Sequence, residues 1–313
     1  MTDSLRWLEH RGVALDTVKG FTIVECETCG FRHIVPVPTT ETLERVYREE
    51  YYFVEKPLYL ERHREDQEWW DLTYAERYDT FETHLPFSRR RILDVGSGPG
   101  FFLLHGKRRG WQTLGLEPSR QAAAHARGLG LDIIEQFLTH ELSGRLGQFD
   151  VVYMSEVLEH IPDPKGFLML ARRLLGPGGM VCIVVPNDYS PFQHALRTAC
   201  GYSPWWVAPP HHVNYFDFTS AARLLEACGF EVVLREATFP IDMFLLMGDN
   251  YVGNDVLGRQ CHGKRMTLEK NLAKAGLTGV KRSLYQALAQ KEIGREAMLF
   301  AVNPPSDEGD RGE

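Results

Sequence analysis

Short runs of nearly continuous apolar residues recur along the middle of the chain, separated by stretches whose apolar positions repeat at helical spacing. Ile92, Leu93 and Val95 form the first run and Thr113-Leu114-Gly115-Leu116 the second. Residues 131–135, 149–154, 180–185, 230–237 and 297–302 continue the series. Each has strand length and is bounded by glycine, proline or polar residues. The intervening segments read as helices. Residues 101–109 place Phe101, Leu104 and the stem of Arg108 on one face before Gly110. Ser119 precedes an alanine-rich helix that stops at Gly128. Residues 164–175 run into Gly176-Pro177-Gly178-Gly179, a turn, and residues 220–228 close on Gly229. Strands alternating with helices predict an α/β fold with a largely parallel sheet covered on both faces.

The first strand leads into Gly96-Ser97-Gly98-Pro99-Gly100. A strand, a glycine turn and a helix N-terminus make a nucleotide pocket at the carboxyl edge of such a sheet. The spacing is G-x-G-x-G, whereas a dinucleotide site has G-x-G-x-x-G. Asp94 stands two residues before the first glycine. An acid at this turn suits a cationic ligand better than a pyrophosphate. S-adenosylmethionine (SAM), with a sulfonium and an ammonium, is such a ligand. Glu117 ends the second strand at roughly the ~20-residue interval where nucleotide folds place a carboxylate on the ribose hydroxyls.

Four ordered segments resemble motifs of the class I SAM-dependent methyltransferases. Residues 92–100 are similar to motif I, and Glu117 falls at the ribose-binding acid. Phe149-Asp150 through Glu156-Val157-Leu158-Glu159-His160-Ile161 resembles the fourth-strand motif, and Leu174-Leu175-Gly176-Pro177-Gly178-Gly179 the turn before strand five. The resemblance implies a Rossmann-like seven-stranded, mostly parallel sheet with helices on both faces, an N-terminal extension and a helical insertion before an antiparallel last strand. It implies SAM as cofactor, held by Asp94, Gly96, Ser97, Gly98, Gly100, Phe102, Glu117, Pro118 and Ser119. Ser155 and Glu156 would pass the methionine part, and Gln136 and Phe137 would meet the adenine. His160 is expected to fix the loop after strand four.

The expected organisation is an N-terminal extension over residues 1–87, a SAM-binding core over 88–238 and a helical cap over 239–292. The last strand lies in 293–303, and 304–313 form a disordered tail. The extension holds a strand over residues 21–26, then a helix capped by Thr40 with Leu43, Val46 and Tyr47 on one face. A longer helix carries Trp69, Trp70, Tyr74 and Tyr78, expected to pack as core. Residues 239–292 read as a cap or homodimer segment lining the substrate pocket. Cys26 and Cys29 make a C-x-x-C, half of a tetrahedral zinc site, with His33 and His10 nearest for the other half. Many bacterial methyltransferases with a similar N-terminus have two C-x-x-C pairs. The second is missing here, so buried thiols without a metal are expected.

Composition narrows the function. The 313 residues are 43% apolar and 25% charged, enough for one large domain with additions. Lys and Arg number 35 against 42 Asp and Glu, a net charge of -7. That argues against nonspecific binding to nucleic acid or an anionic membrane, which needs a basic face. No apolar run reaches the ~20 residues of a membrane span, and a cytoplasmic protein is expected.

Methyl transfer to a hydroxyl or carbon acid needs a general base. The long segment after strand five carries His211, His212 and Tyr215. Residues 211–216 resemble the His-Glu-His-x-x-Tyr-Phe segment of sugar C-methyltransferases, with His212 on its second histidine, Tyr215 on its tyrosine and His211 on its glutamate. The missing glutamate favours oxygen over carbon. The expected reaction is SAM-dependent methylation of a small-molecule or sugar-like acceptor. A nicotinamide-dependent oxidoreductase would share the strand, turn and Glu117, but would show G-x-G-x-x-G and no Asp94. A non-catalytic SAM-binding protein would share the whole cofactor pattern.

Overall fold

The structure is a computed structural model that describes residues 10–39, 43 and 58–305. The expected helix at Thr40, Val46 and Tyr47 and the end of the tail lie outside the described residues.

A seven-stranded sheet organises the molecule. Its strands are β4 (Arg91–Val95), β5 (Gln112–Leu116), β6 (Ile133–Ile134), β7 (Phe149–Ser155), β8 (Leu175–Pro186), β10 (Glu231–Ala237) and β11 (Glu296–Val302). Their order is β10-β11-β8-β7-β4-β5-β6. Only β11 runs antiparallel to its neighbours, inserted between β10 and β8. The strand order reverses between β4 and β7, and a crevice opens at such a switch point.

The apolar runs are continuous because both faces of the sheet are covered. Leu93, Val152, Val181 and Ile183 turn to one face and pack with Leu168 and Leu225. Ile92, Val151, Met180 and Cys182 turn to the other, against Tyr78, Phe81, Phe102 and Ala126. A period of two on each strand thus fills two cores. The first is roofed by α6 (Pro164–Arg173) and α8 (Phe218–Ala227). The second is roofed by α2 (Gln67–His84), α3 (Phe101–Arg108) and α4 (Arg120–Gly128), with α1 (Tyr59–Glu65) leading into α2 and α5 (His140–Leu146) before β7.

Several elements differ from expectation. The third strand is only two residues long. The segment Gly176 to Gly179 lies within β8, where the pairing with β7 slips between Phe149 and Val151 and Gly178 takes a left-handed φ of 69°. The stretch after β8 is not wholly irregular. Ser190 and Gln193 close a capping box on α7 (Pro191–Cys200), and β9 (Asn214–Tyr215) follows. Residues 239–292 fold as α9 (Asp242–Leu246), α10 (Asp255–Lys274) and α11 (Thr278–Ala289).

The N-terminal extension holds more than one strand. β1 (Gly12–Val18), β2 (Phe21–Cys26) and β3 (Arg32–Val35) form an antiparallel meander. β9 completes it, pairing His33 with Asn214. A segment from beyond β8 thereby joins the N-terminal sheet to the main one.

Candidate active site

A cavity of about 870 Å³ lies along the carboxyl ends of β4, β5 and β7. Its donor-side wall follows the glycine turn. Gly96 and Gly98 hold left-handed φ values of 75° and 53°. A Cβ on Gly96 would come within 2.8 Å of Val157 Cγ2, so the turn has no room for a side chain there. Glu117 closes this wall. Its Oε2 accepts from the Gly98 amide at 2.8 Å and its Oε1 from the Ser119 amide at 2.7 Å. Burial pushes its pKa up to about 7, against the pull of those two amides. Asp94 is buried beside it. Burial raises its pKa well above the ordinary range, the Glu117 carboxylate adds to this, and the Arg77 guanidinium opposes it. At the end of β7, Glu156 holds a left-handed φ of 56°, an unusual backbone for a non-glycine residue.

Asp94, Gly96, Ser97, Gly98, Phe102, Glu117, Pro118, Gln136, Phe137, Ser155 and Glu156 line the cavity. Gly100 and Ser119, expected beside the cofactor, are not among the lining residues. Gly100 precedes α3 with a φ of 86°, and a Cβ there would lie 2.6 Å from Leu131 Cδ1 and 2.7 Å from Ala126 Cβ. Its small size serves close helix packing instead. Ser119 precedes α4 as expected, but its side chain makes no cap bond.

Another part of the lining is aromatic. Trp69, Trp70 and Tyr74 of α2 line it, so this helix supplies both core and cavity surface. Behind them the His63 ring stacks on Phe101, with centroids 3.6 Å apart, and on Trp70 at 5.4 Å. Burial lowers the His63 pKa to about 4, which leaves the ring neutral for stacking. α10 contributes His262 and Arg265 to the lining. Arg77, also on the wall, donates to the Tyr153 hydroxyl. Sequence reading missed Arg77, because a cation in an aromatic helix gives no sign that it faces Asp94.

His160, in a 3₁₀ turn after β7, also lines the cavity. His160 Nδ1 donates to the His211 carbonyl at 2.9 Å, which assigns the ring proton to that nitrogen. Its Nε2 faces the Glu159 carboxylate at 3.6 Å. His212 meets the His160 ring edge-on at 4.9 Å. Ligand atoms of Glu159, His160 and His212 all lie within 4.8 Å of one another. His211, His212 and Tyr215, expected to face the acceptor, are not among the lining residues. Tyr215 is fully buried, its oxygen accepts from the Ala208 amide at 3.2 Å, and burial raises its pKa. The physical reason is β9: pairing with β3 turns this segment toward the N-terminal sheet.

The fold and this cradle define a class: an α/β protein built to hold a cationic nucleoside ligand at the β4 switch point. The donor set fits SAM, with glycine backbone for close approach and the buried carboxyls of Glu117 and Asp94 in the cavity lining. The model of a methyltransferase domain family matches residues 62–235, more than half of the chain. The chain belongs to the class I SAM-dependent methyltransferases. It is 34% identical over 162 residues to a ubiquinone biosynthesis O-methyltransferase of Caulobacter vibrioides, covering 50% of this chain and 64% of the relative. A protein of the same description from Ruegeria sp. is 31% identical over 162 residues, covering 50% and 66%. The chain thus spans somewhat under two thirds of the length of these relatives. A SAM-dependent methyltransferase structure from Archaeoglobus fulgidus aligns with a TM-score of 0.48 and 19% identity, covering 74% of this chain and 93% of that one. No helix among the described residues is long and apolar enough to cross a membrane.

Proposed function

We propose that this protein methylates a hydroxyl on a ring-bearing small molecule, with His160 accepting the hydroxyl proton. One observation carries the reading: a single cavity is lined by Asp94 and Glu117, by Trp69, Trp70 and Tyr74, and by His160. SAM, when bound, supplies an activated methyl group on its sulfonium. The chain's own residues bring the acceptor oxygen into line, exclude water and take up a proton. His160 suits the last role. Its Nδ1 proton is committed to the His211 carbonyl, which leaves Nε2 as the basic nitrogen of the ring. The Glu159 carboxylate, 3.6 Å away, would stabilise the imidazolium that forms.

The aromatic wall supports a planar acceptor, stacked by its face, over the sugar-like acceptor expected from the sequence. The relatives are described as O-methyltransferases, which agrees with oxygen as the target. Incubation with labelled SAM and matched panels of phenols, catechols and nucleotide sugars tests this. Turnover of the phenolic panel is expected, and methylation confined to nucleotide sugars would overturn it. His160→Asn should lower kcat by about 10²–10⁴ with SAM affinity intact. A second reading rests on the Glu159, His160 and His212 ligand atoms, which would let a divalent cation polarise the acceptor oxygen. Restoration of chelator-treated enzyme by magnesium or manganese but not zinc would favour it.

A further inference from the structure

Outside this cavity, three separate segments of the N-terminal region converge on one point. Cys26 ends β2, Cys29 lies in the turn after it, His33 is on β3, and His10 is in the chain before β1. Their ligand atoms all lie within 4.8 Å of one another. His10 Nδ1 is 3.2 Å from Cys29 Sγ, 3.5 Å from Cys26 Sγ and 3.2 Å from His33 Nε2. We propose that His10, Cys26, Cys29 and His33 bind a structural zinc ion.

The geometry is that of a tetrahedron awaiting its centre. Zn–N and Zn–S bonds of ordinary length set tetrahedral edges of about 3.3–3.8 Å between ligand atoms. The measured separations sit at or just inside that range. The surroundings also match what zinc ligands need. The Cys29 amide lies 3.4 Å from Cys26 Sγ, where it donates to the sulfur and favours a thiolate. Gly30, with a φ of 75°, folds the turn back so that its amide meets the Cys26 carbonyl at 2.9 Å. His33 Nδ1 donates to the Ile34 carbonyl at 2.9 Å, so the lone pair of Nε2 points at the cluster. A backbone acceptor on the far nitrogen is the usual support of a metal-bound histidine. His33 and Cys26 are buried and His10 and Cys29 half-buried, so the site would be closed, with protein filling all four positions. Two thiolates and two imidazoles select zinc over magnesium or calcium.

The position suggests what the ion does. His33 pairs with Asn214 across β3 and β9, and the Ile34 amide donates to the Val213 carbonyl at 2.9 Å. Zinc would therefore lock the small sheet against the segment that carries His211 and His212. It would act on stability and order, away from the donor cradle.

The test uses the full chain, purified without a metal-affinity step, with zinc measured by elemental analysis. One equivalent of zinc is expected. Cys29→Ala and His33→Ala should each lose it, while Cys228→Ala and Cys261→Ala keep it. Protein that is zinc-free as isolated, and takes up none from added zinc under reducing conditions, would overturn the proposal. So would full zinc content in Cys29→Ala, or a Cys26–Cys29 disulfide in protein kept reduced. If the variants fail to fold, cobalt substitution of the native chain decides. Thiolate-to-cobalt charge-transfer absorption supports the site, and its absence refutes it. Zinc removal should also speed hydrogen exchange at Ile34 and Val213 and leave the β4 amides protected; equal protection with and without zinc would remove the structural role.

Discussion

At the scale of single residues, Glu117 carries the clearest consequence. In the proposed role of ribose acceptor its carboxylate must be ionised to accept strongly, yet burial lifts its pKa to about 7. SAM affinity should therefore fall as pH drops through about 7. Titration calorimetry on either side of neutrality checks this, and Glu117→Gln should flatten the profile. The sign for folding is opposite. A native pKa above the ordinary 4.5 means the fold holds the extra proton, so this group's contribution to stability declines as pH rises from about 4.5 to 7. Glu117→Ala removes the acceptor and should weaken SAM by about 1.5–3 kcal/mol, or roughly ten- to a hundredfold in Kd.

Between elements, Glu269 of α10 is the joint that holds the cap. Trp69 of α2 donates its indole N–H to it at 2.6 Å, and the Tyr285 hydroxyl of α11 at 2.7 Å. Arg265 and Lys281 lie at 3.3 and 3.9 Å. Burial alone would raise the Glu269 pKa, but these cations and donors outweigh it and hold the group below its ordinary value. Its contribution is present above the usual carboxylate range and is lost as pH falls through the native pKa. Glu269→Ala should destabilise by about 3–5 kcal/mol, read by urea denaturation, because Arg265 and Lys281 lose a buried counter-charge. Gly100 is a joint of a different kind, between α3 and α4. Gly100→Ala should cost about 1–3 kcal/mol through overpacking against Ala126 and Leu131. SAM affinity of the folded fraction should be unchanged, since Gly100 does not line the cavity.

Across the whole molecule, β9 couples the two sheets. Asn214 is fully buried on it and donates to the Leu158 carbonyl at 2.9 Å and the Ile161 carbonyl at 2.7 Å. These bonds flank His160. The Val213 amide adds a third, to the Glu159 carbonyl at 2.7 Å. Arg32 of β3 pairs with Asp217, which caps α8, at 2.8 Å across the same seam. Asn214→Ala leaves two buried carbonyls without their donor and should cost about 1–3 kcal/mol. Because the loop it steadies carries His160, kcat should also fall while SAM affinity holds. Steady-state kinetics beside calorimetry separates the two effects.

The strands of the main sheet were legible in the sequence because a strand covered on both faces must be apolar at nearly every position. The glycine turn beside the cavity was legible for a similar reason: a tight turn with left-handed φ values calls for glycine, and Glu117 stands out at the end of an apolar strand. Both are local demands, written in consecutive residues. β1, β3 and β9 were not legible, since short strands of mixed polarity are fixed by their partners and carry little pattern of their own. Whereas His10 and His33 were already the nearest candidates to join Cys26 and Cys29, the aromatic lining of the cavity and the contact of His160 with the His211–His212 segment depend on residues far apart in the chain. Only tertiary pairing, above all β9 crossing to β3, brought them within bonding distance, because spacing along a chain does not encode which distant segments share a sheet.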